Sequence, residues 1–252
     1  MDKKVAATRY VRPFVSSPFL DLNQERDALV NIAFPRIRKY CEARGVTWSA
    51  IDLRWGIKSE DQILPVCLDE VTRSRPFFIG LLGDRYGTTL ESVPAYLKVR
   101  YPWLERYSGR SITELEIIFG TLEESQGPVI PFFYFRNTPD SRDARQGEPA
   151  ERSRHSDDTS RLTSLKERIR LRYGDAVRAD FRTPEELAEW VEEDLKRKID
   201  ELYPLDGAPT ADAQQALDQR AFALSRTRVY VADPGMLCVW TSMRRVPRRF
   251  RW

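Results

Sequence analysis

Two carboxylates stand two residues apart in Ser111-Ile-Thr-Glu114-Leu-Glu116-Ile-Ile-Phe119-Gly120, set among apolar residues at helical spacing. A desolvated acid near the carboxyl ends of parallel strands has a raised pKa, and such folds keep their chemistry there. Glu116 shares its predicted helix face with Ile112, Phe119 and Gly120, so it is partly desolvated, and Gly120 leaves room one turn away for a ligand. Glu114 has Arg110 as its helical neighbour and reads as a surface ion pair. A structural acid bonded to a backbone group or an arginine is the competing reading of Glu116, and the residues leave both open.

Other chemistry is largely excluded. The chain has one histidine, His155, in a polar stretch, which removes Ser-His-Asp, Cys-His and histidine-metal arrangements together. Three cysteines, Cys41, Cys67 and Cys238, are too few and too far apart for a disulfide framework or a zinc site. Ser16 and Ser17 lie at a strand end but lack a base to activate them, so they read as capping or ligand hydrogen bonds. Gly80, Gly83 and Gly87 fit neither dinucleotide nor phosphate-loop spacing, and tight turns account for them better. Carboxylate chemistry, or none, remains.

The elements that would position Glu116 alternate. Tyr10 to Val15 reads as a strand that Pro13 should distort, and Asp21 with Gln24 forms a capping box for a helix running to Arg44-Gly45. A second strand, Thr47 to Leu53, precedes a helix over Ile63 to Arg73 with Pro65 in its first turn. Phe77 to Leu82 is an uninterrupted apolar run, as a central parallel strand requires. An aromatic-rich insertion, Leu90 to Tyr107, separates it from the Glu116 helix, and Val129 to Phe135 is the fourth strand. Positions 136–159 lack periodicity and read as a flexible excursion. A helix follows over Ser160 to Tyr173, then a short fifth strand, Val177 to Phe181, and a helix opened by Thr183-Pro184-Glu185-Glu186.

This βα alternation predicts a doubly wound α/β fold of about five parallel strands, with helices on both faces and a C-terminal helical extension. The expected domain spans 1–204, followed by a linker helix and lead-in over 205–238 and a disordered basic tail over 239–252. The net charge of +3 is spread along the chain except for the arginines at the end, giving no support for nucleic-acid binding. No apolar run approaches the roughly 20 residues of a membrane span, and no secretory signal is present, so a cytoplasmic location without membrane contact is expected.

Four blocks in order, Ser16-Ser17-x-Phe19-x-Asp21 with Glu25-Arg26-Asp27, Asp52-Leu-Arg54-Trp55-Gly56-Ile57, Arg75 to Gly87, and Ser111 to Glu116, carry a family resemblance. Together they resemble the TIR-like domain of unknown function at the N-terminus of nephrocystin-type and telomerase-associated-protein-type STAND (NACHT) NTPases. Phe222 to Val231 looks like the lead-in to the NTPase of that family. The resemblance implies a flavodoxin-like fold with strand order 2-1-3-4-5 and an effector or signalling module, with the NTPase and repeat domains of a longer parent and other copies of itself as partners.

Enzymatic TIR domains cleave NAD with one glutamate followed four positions on by a small residue, and Glu116 with Gly120 matches. The resemblance therefore implies a possible NAD glycohydrolase acting on oligomerisation, with NAD as substrate and no cofactor or metal. A crevice above strands one to three would hold NAD through Ser16, Ser17 and Phe19 after the first strand and Arg54 and Trp55 after the second. Trp55 would stack on a base, Arg54 would meet pyrophosphate, and Glu116 would steady an oxocarbenium-like ribose as nicotinamide leaves. A non-catalytic homotypic adaptor and a nucleotide-binding sensor without turnover fit the same residues.

Overall fold

A computed structural model describes residues 9–18, 21–50, 60–90, 93, 95–122, 127–136, 149–205, 215 and 219, with the backbone alone at 60–62 and 149–156. The chain divides into two units, Met1–Gly207 and Ala208–Trp252. Of the second, Gln215 and Gln219 are described, both helical and exposed.

Pro13 breaks the first strand where the sequence placed an irregularity. It separates β1 (Tyr10–Val11) from β2 (Phe14–Ser16), and the two halves pair with different neighbours. β1 lies parallel to β3 (Thr47–Trp48), while β2 joins the sheet β2-β4-β5-β6, with β4 (Phe77–Leu82), β5 (Ile130–Arg136) and β6 (Val177–Phe181). All pairings are parallel. Counting β1 and β2 as one interrupted strand, the order is the expected 2-1-3-4-5.

Helices cover both faces. Asn23–Ala28 (α1) continues through a π-helical stretch, Leu29–Ala33, into α2 (Phe34–Glu42). Then come α3 (Glu60–Ser74), α4 (Ala95–Arg100) with a 3-10 turn over Pro102–Tyr107, and α5 (Ile112–Ile117), which runs into a second π stretch, Ile118–Leu122. α6 (Pro149–Tyr173) and α7 (Pro184–Leu202) complete the set.

Strand alternation sorts the core into two layers. Phe77, Ile79 and Leu81 join Phe132, Tyr134, α1, α2 and α7 on one side, while Phe78, Leu82, Phe133 and Phe135 meet α3, α5 and α6 on the other. Every residue of β4 is buried, because both faces are covered. In α5 and the π stretch all side chains from Ile112 to Thr121 are buried, since Tyr101 and Trp103 of the insertion pack on Phe119 from outside.

Three local expectations are corrected. The Asp21–Gln24 capping box does not form: Leu22, in left-handed conformation, is the N-cap, and no side chain caps the helix. α3 begins at Glu60, which puts Pro65 inside it instead of in its first turn. The excursion over 136–159 is cut short by α6, which begins at Pro149. β6 has the expected bounds, and it is irregular at the edge, with a register shift opposite Phe135/Arg136 and a positive φ of 71° at Asp180, features that blunt a free edge. By contrast, Thr183 caps α7 as expected, its hydroxyl accepting from the Glu186 amide.

Candidate functional site

Ser16 ends β2 and faces α5, where its hydroxyl donates to Glu116 Oε2. This contact links residues 100 apart in sequence and puts Glu116 on the side of the first βα loop, as a site in that crevice requires. The Cys67 thiol of α3 is the second hydrogen-bond partner of Glu116, and the Arg26 guanidinium adds an attractive field. Glu116 is only 4% exposed. Burial pushes its carboxyl above the usual glutamate range, against the opposing pull of Cys67, Ser16 and Arg26. The Cys67 thiol is itself raised, by burial first and by the neighbouring Glu116 charge.

Ser17 turns to the other side of the strand, where Arg26 of α1 holds it twice. The guanidinium Nε donates to the Ser17 hydroxyl, and Nη2 donates to its carbonyl at 2.8 Å. Both serines are therefore engaged by protein groups, and both are buried. Phe19, Arg54 and Trp55 lie outside the described residues, so the structure brings together Glu116 and Ser16 of the expected set, with Ser17 adjacent.

The ligand space expected beside Gly120 is filled. A Cβ at that position would lie 2.5 Å from the Phe78 ring and 3.2 Å from Val71, so the glycine lets α5 close onto the sheet. Glu114 is also corrected. It is fully buried instead of lying at the surface: Tyr86 donates to it, Arg168 reaches it at 2.8 Å, and Arg110 approaches at 3.5 Å. Three aromatic or charged groups converge there because the loop after β4 and α6 cover that end of α5, which helical neighbourhood alone does not reveal.

The carboxyl ends of β4 and β5 are tied by a second network. Arg136 reaches Asp21 at 2.6 Å, Glu25 at 3.0 Å and Asp84 at 2.8 Å. Asp21 also accepts from the backbone amides of Asp84 and Arg85, at 2.9 and 3.2 Å. Gly83 permits this approach, because a Cβ there would meet the Asp21 carboxylate at 2.4 Å. Burial raises the Asp21 carboxyl, but the Asp84 amide and Arg136 outweigh it and leave it below the usual range. Arg26 and Cys67 were not assigned roles from sequence. Arg26 lies within a family block, Glu25-Arg26-Asp27, which is the one signal that pointed to it.

Among the described residues no cluster of His, Cys, Asp and Glu is arranged to hold a metal. No helix among them is long and apolar enough to cross a membrane.

A parallel α/β sheet covered by helices on both faces, with buried acids beneath its carboxyl edge, defines a doubly wound α/β domain. The family model described as a domain of unknown function, DUF4062, matches residues 12–196, and the chain belongs to that family. A TPR repeat-containing protein of Dictyostelium discoideum is 32% identical over 252 aligned residues, covering 92% of this chain and 15% of the relative. Telomerase protein component 1 of Rattus norvegicus is 41% identical over 115 residues, 44% of this chain and 4% of its own. NACHT and WD repeat domain-containing protein 2 of Homo sapiens is 36% identical over 95 residues, covering 33% of this chain and 5% of the relative. The chain thus spans a small part of each. No solved structure matches.

Proposed function

We propose that the chain is a TIR-like signalling and protein-interaction module of a larger multidomain protein, cytoplasmic and non-catalytic in the state described. The observation that carries this reading is the burial of Glu116 between Ser16 and Cys67, which uses the acid as a scaffold group. A carboxylate that must meet a sugar ring needs an open approach, and here Phe78 occupies the space beside Gly120. Relatives whose names carry TPR, NACHT and WD repeats support a module that works through attached domains and protein contacts.

NAD cleavage is the second reading, and one observation favours it: Glu116 does face the end of β2, next to the loop that would hold the ribose. In that reading clustering opens the crevice, and Ser16 shares the site with the acid. Incubating the full chain with NAD, free and clustered on a multivalent support, separates the two. The interaction reading expects no nicotinamide above the blank and concentration-dependent association by sedimentation. Nicotinamide release that disappears in Glu116→Ala would establish the enzyme.

A further inference from the structure

We propose that the loop 83–87, at the carboxyl end of β4, is a strap that closes the mouth of the crevice over Glu116 and lifts about the glycines at its two ends. This goes beyond the interaction reading, because it concerns how the buried acid is reached and not what the module binds. Gly87 stands at the mouth: a Cβ there would lie 3.1 Å from the Thr113 hydroxyl, 3.6 Å from Ser111 and 3.7 Å from Pro18. Pro18 follows Ser16 and Ser17, and Thr113 precedes Glu116 by three residues on α5. The strap therefore bridges the first βα loop and α5, the two elements that the Ser16–Glu116 hydrogen bond joins beneath it.

Its fastenings are polar. Asp21 accepts from the Asp84 and Arg85 amides at 2.9 and 3.2 Å, Arg136 reaches the Asp84 carboxylate at 2.8 Å, and Lys166 donates to the Gly83 carbonyl at 2.8 Å. Asp84 and Arg85 are exposed, and Tyr86 is the one side chain of the strap that is buried. Its hydroxyl donates to Glu114, which makes it the catch. Polar ties of this kind exchange for bonds to water at small net cost, so the strap lifts while the layers beside β4 stay packed. Gly83 and Gly87 suit hinges: Gly87 has a φ of 99°, and neither carries a side chain that must turn with the backbone. Lifting uncovers Thr113, Ser16 and Glu116, together with Cys67, the acid's second hydrogen-bond partner.

Alkylation of the full chain with a small maleimide, read at Cys67 by peptide mass spectrometry, reports the opening. Cys41 is the internal control, because it is buried in the layer on the other side of the sheet and reacts when the domain unfolds as a whole. Cys67 should react faster than Cys41. Tyr86→Phe drops the catch and keeps the ring, so it should raise the Cys67 rate by about 10-fold with the Cys41 rate unchanged. Pro18→Cys combined with Gly87→Cys puts two Cβ atoms 3.7 Å apart, within disulfide reach. Oxidising this double variant should slow Cys67, and reducing it should restore the rate. Cys67 and Cys41 reacting in step in every variant would mean that only global unfolding reaches the acid, and the proposal falls. It falls equally if the crosslinked and reduced forms expose Cys67 at the same rate. Accessibility is read here instead of turnover, so the presence or absence of nicotinamide release bears on the interaction reading alone, and the two failures are distinguishable.

Discussion

At Glu116 a carboxylate is held in a site that prefers it neutral. Burial raises its pKa, and a group with a raised folded pKa contributes stability fully present below the unfolded value and lost as pH rises through the folded one. Glu116→Gln keeps an acceptor for Ser16 and Cys67 and removes the titration. Wild type should therefore lose stability relative to this variant as pH rises above the usual glutamate range near 4.5, read from melts collected from acid to neutral pH. Parallel melting curves would show that the acid is not desolvated in solution. Gly120→Ala tests the packing reading of the neighbouring glycine. Its Cβ would collide with Phe78 at 2.5 Å, so despite the helix-propensity gain of about 1 kcal/mol, urea unfolding should show a net loss of about 1–2 kcal/mol. A stabilised variant would mean that open space exists there after all.

Two helix starts with similar sequence signatures behave differently, and the reason is the company each keeps. Thr183 has no competing long-range partner among the described residues, so it caps α7 locally, and Thr183→Ala should cost about 1 kcal/mol in denaturant unfolding. A loss no larger than a few tenths would place the cap elsewhere. Asp21 has the residue type of a cap but is taken by the amides of Asp84 and Arg85 and by Arg136. Spacing within one helix cannot report those partners. The split first strand was legible because Pro13 removes a ladder amide by itself, whereas the π stretches at Leu29–Ala33 and Ile118–Leu122 left no sign in residue pattern.

Across the molecule, Arg136 joins the loop after the first strand to the ends of β4 and β5. Arg136→Met leaves three acids facing one another, and a loss of about 2–3 kcal/mol is expected, below the fully buried range because the side chain is partly exposed. The Asp21 carboxyl is lowered in the folded state, so its contribution is present above the unfolded pKa and lost as pH falls through the folded one. In Arg136→Met that acid loss should move to higher pH, seen in urea midpoints collected down to about pH 3. An unchanged acid limb would put the stabilising cation elsewhere. Residue pattern alone determined the βα alternation, the all-parallel sheet and the burial of Phe77 to Leu82, because periodicity and turn chemistry are local and each βα unit must cover the sheet. The tertiary structure decided that both acids are buried and that the space beside Gly120 is filled. Those outcomes depend on Phe78, Cys67, Tyr86 and Arg168, side chains distant along the chain that only packing brings to Glu114, Glu116 and Gly120.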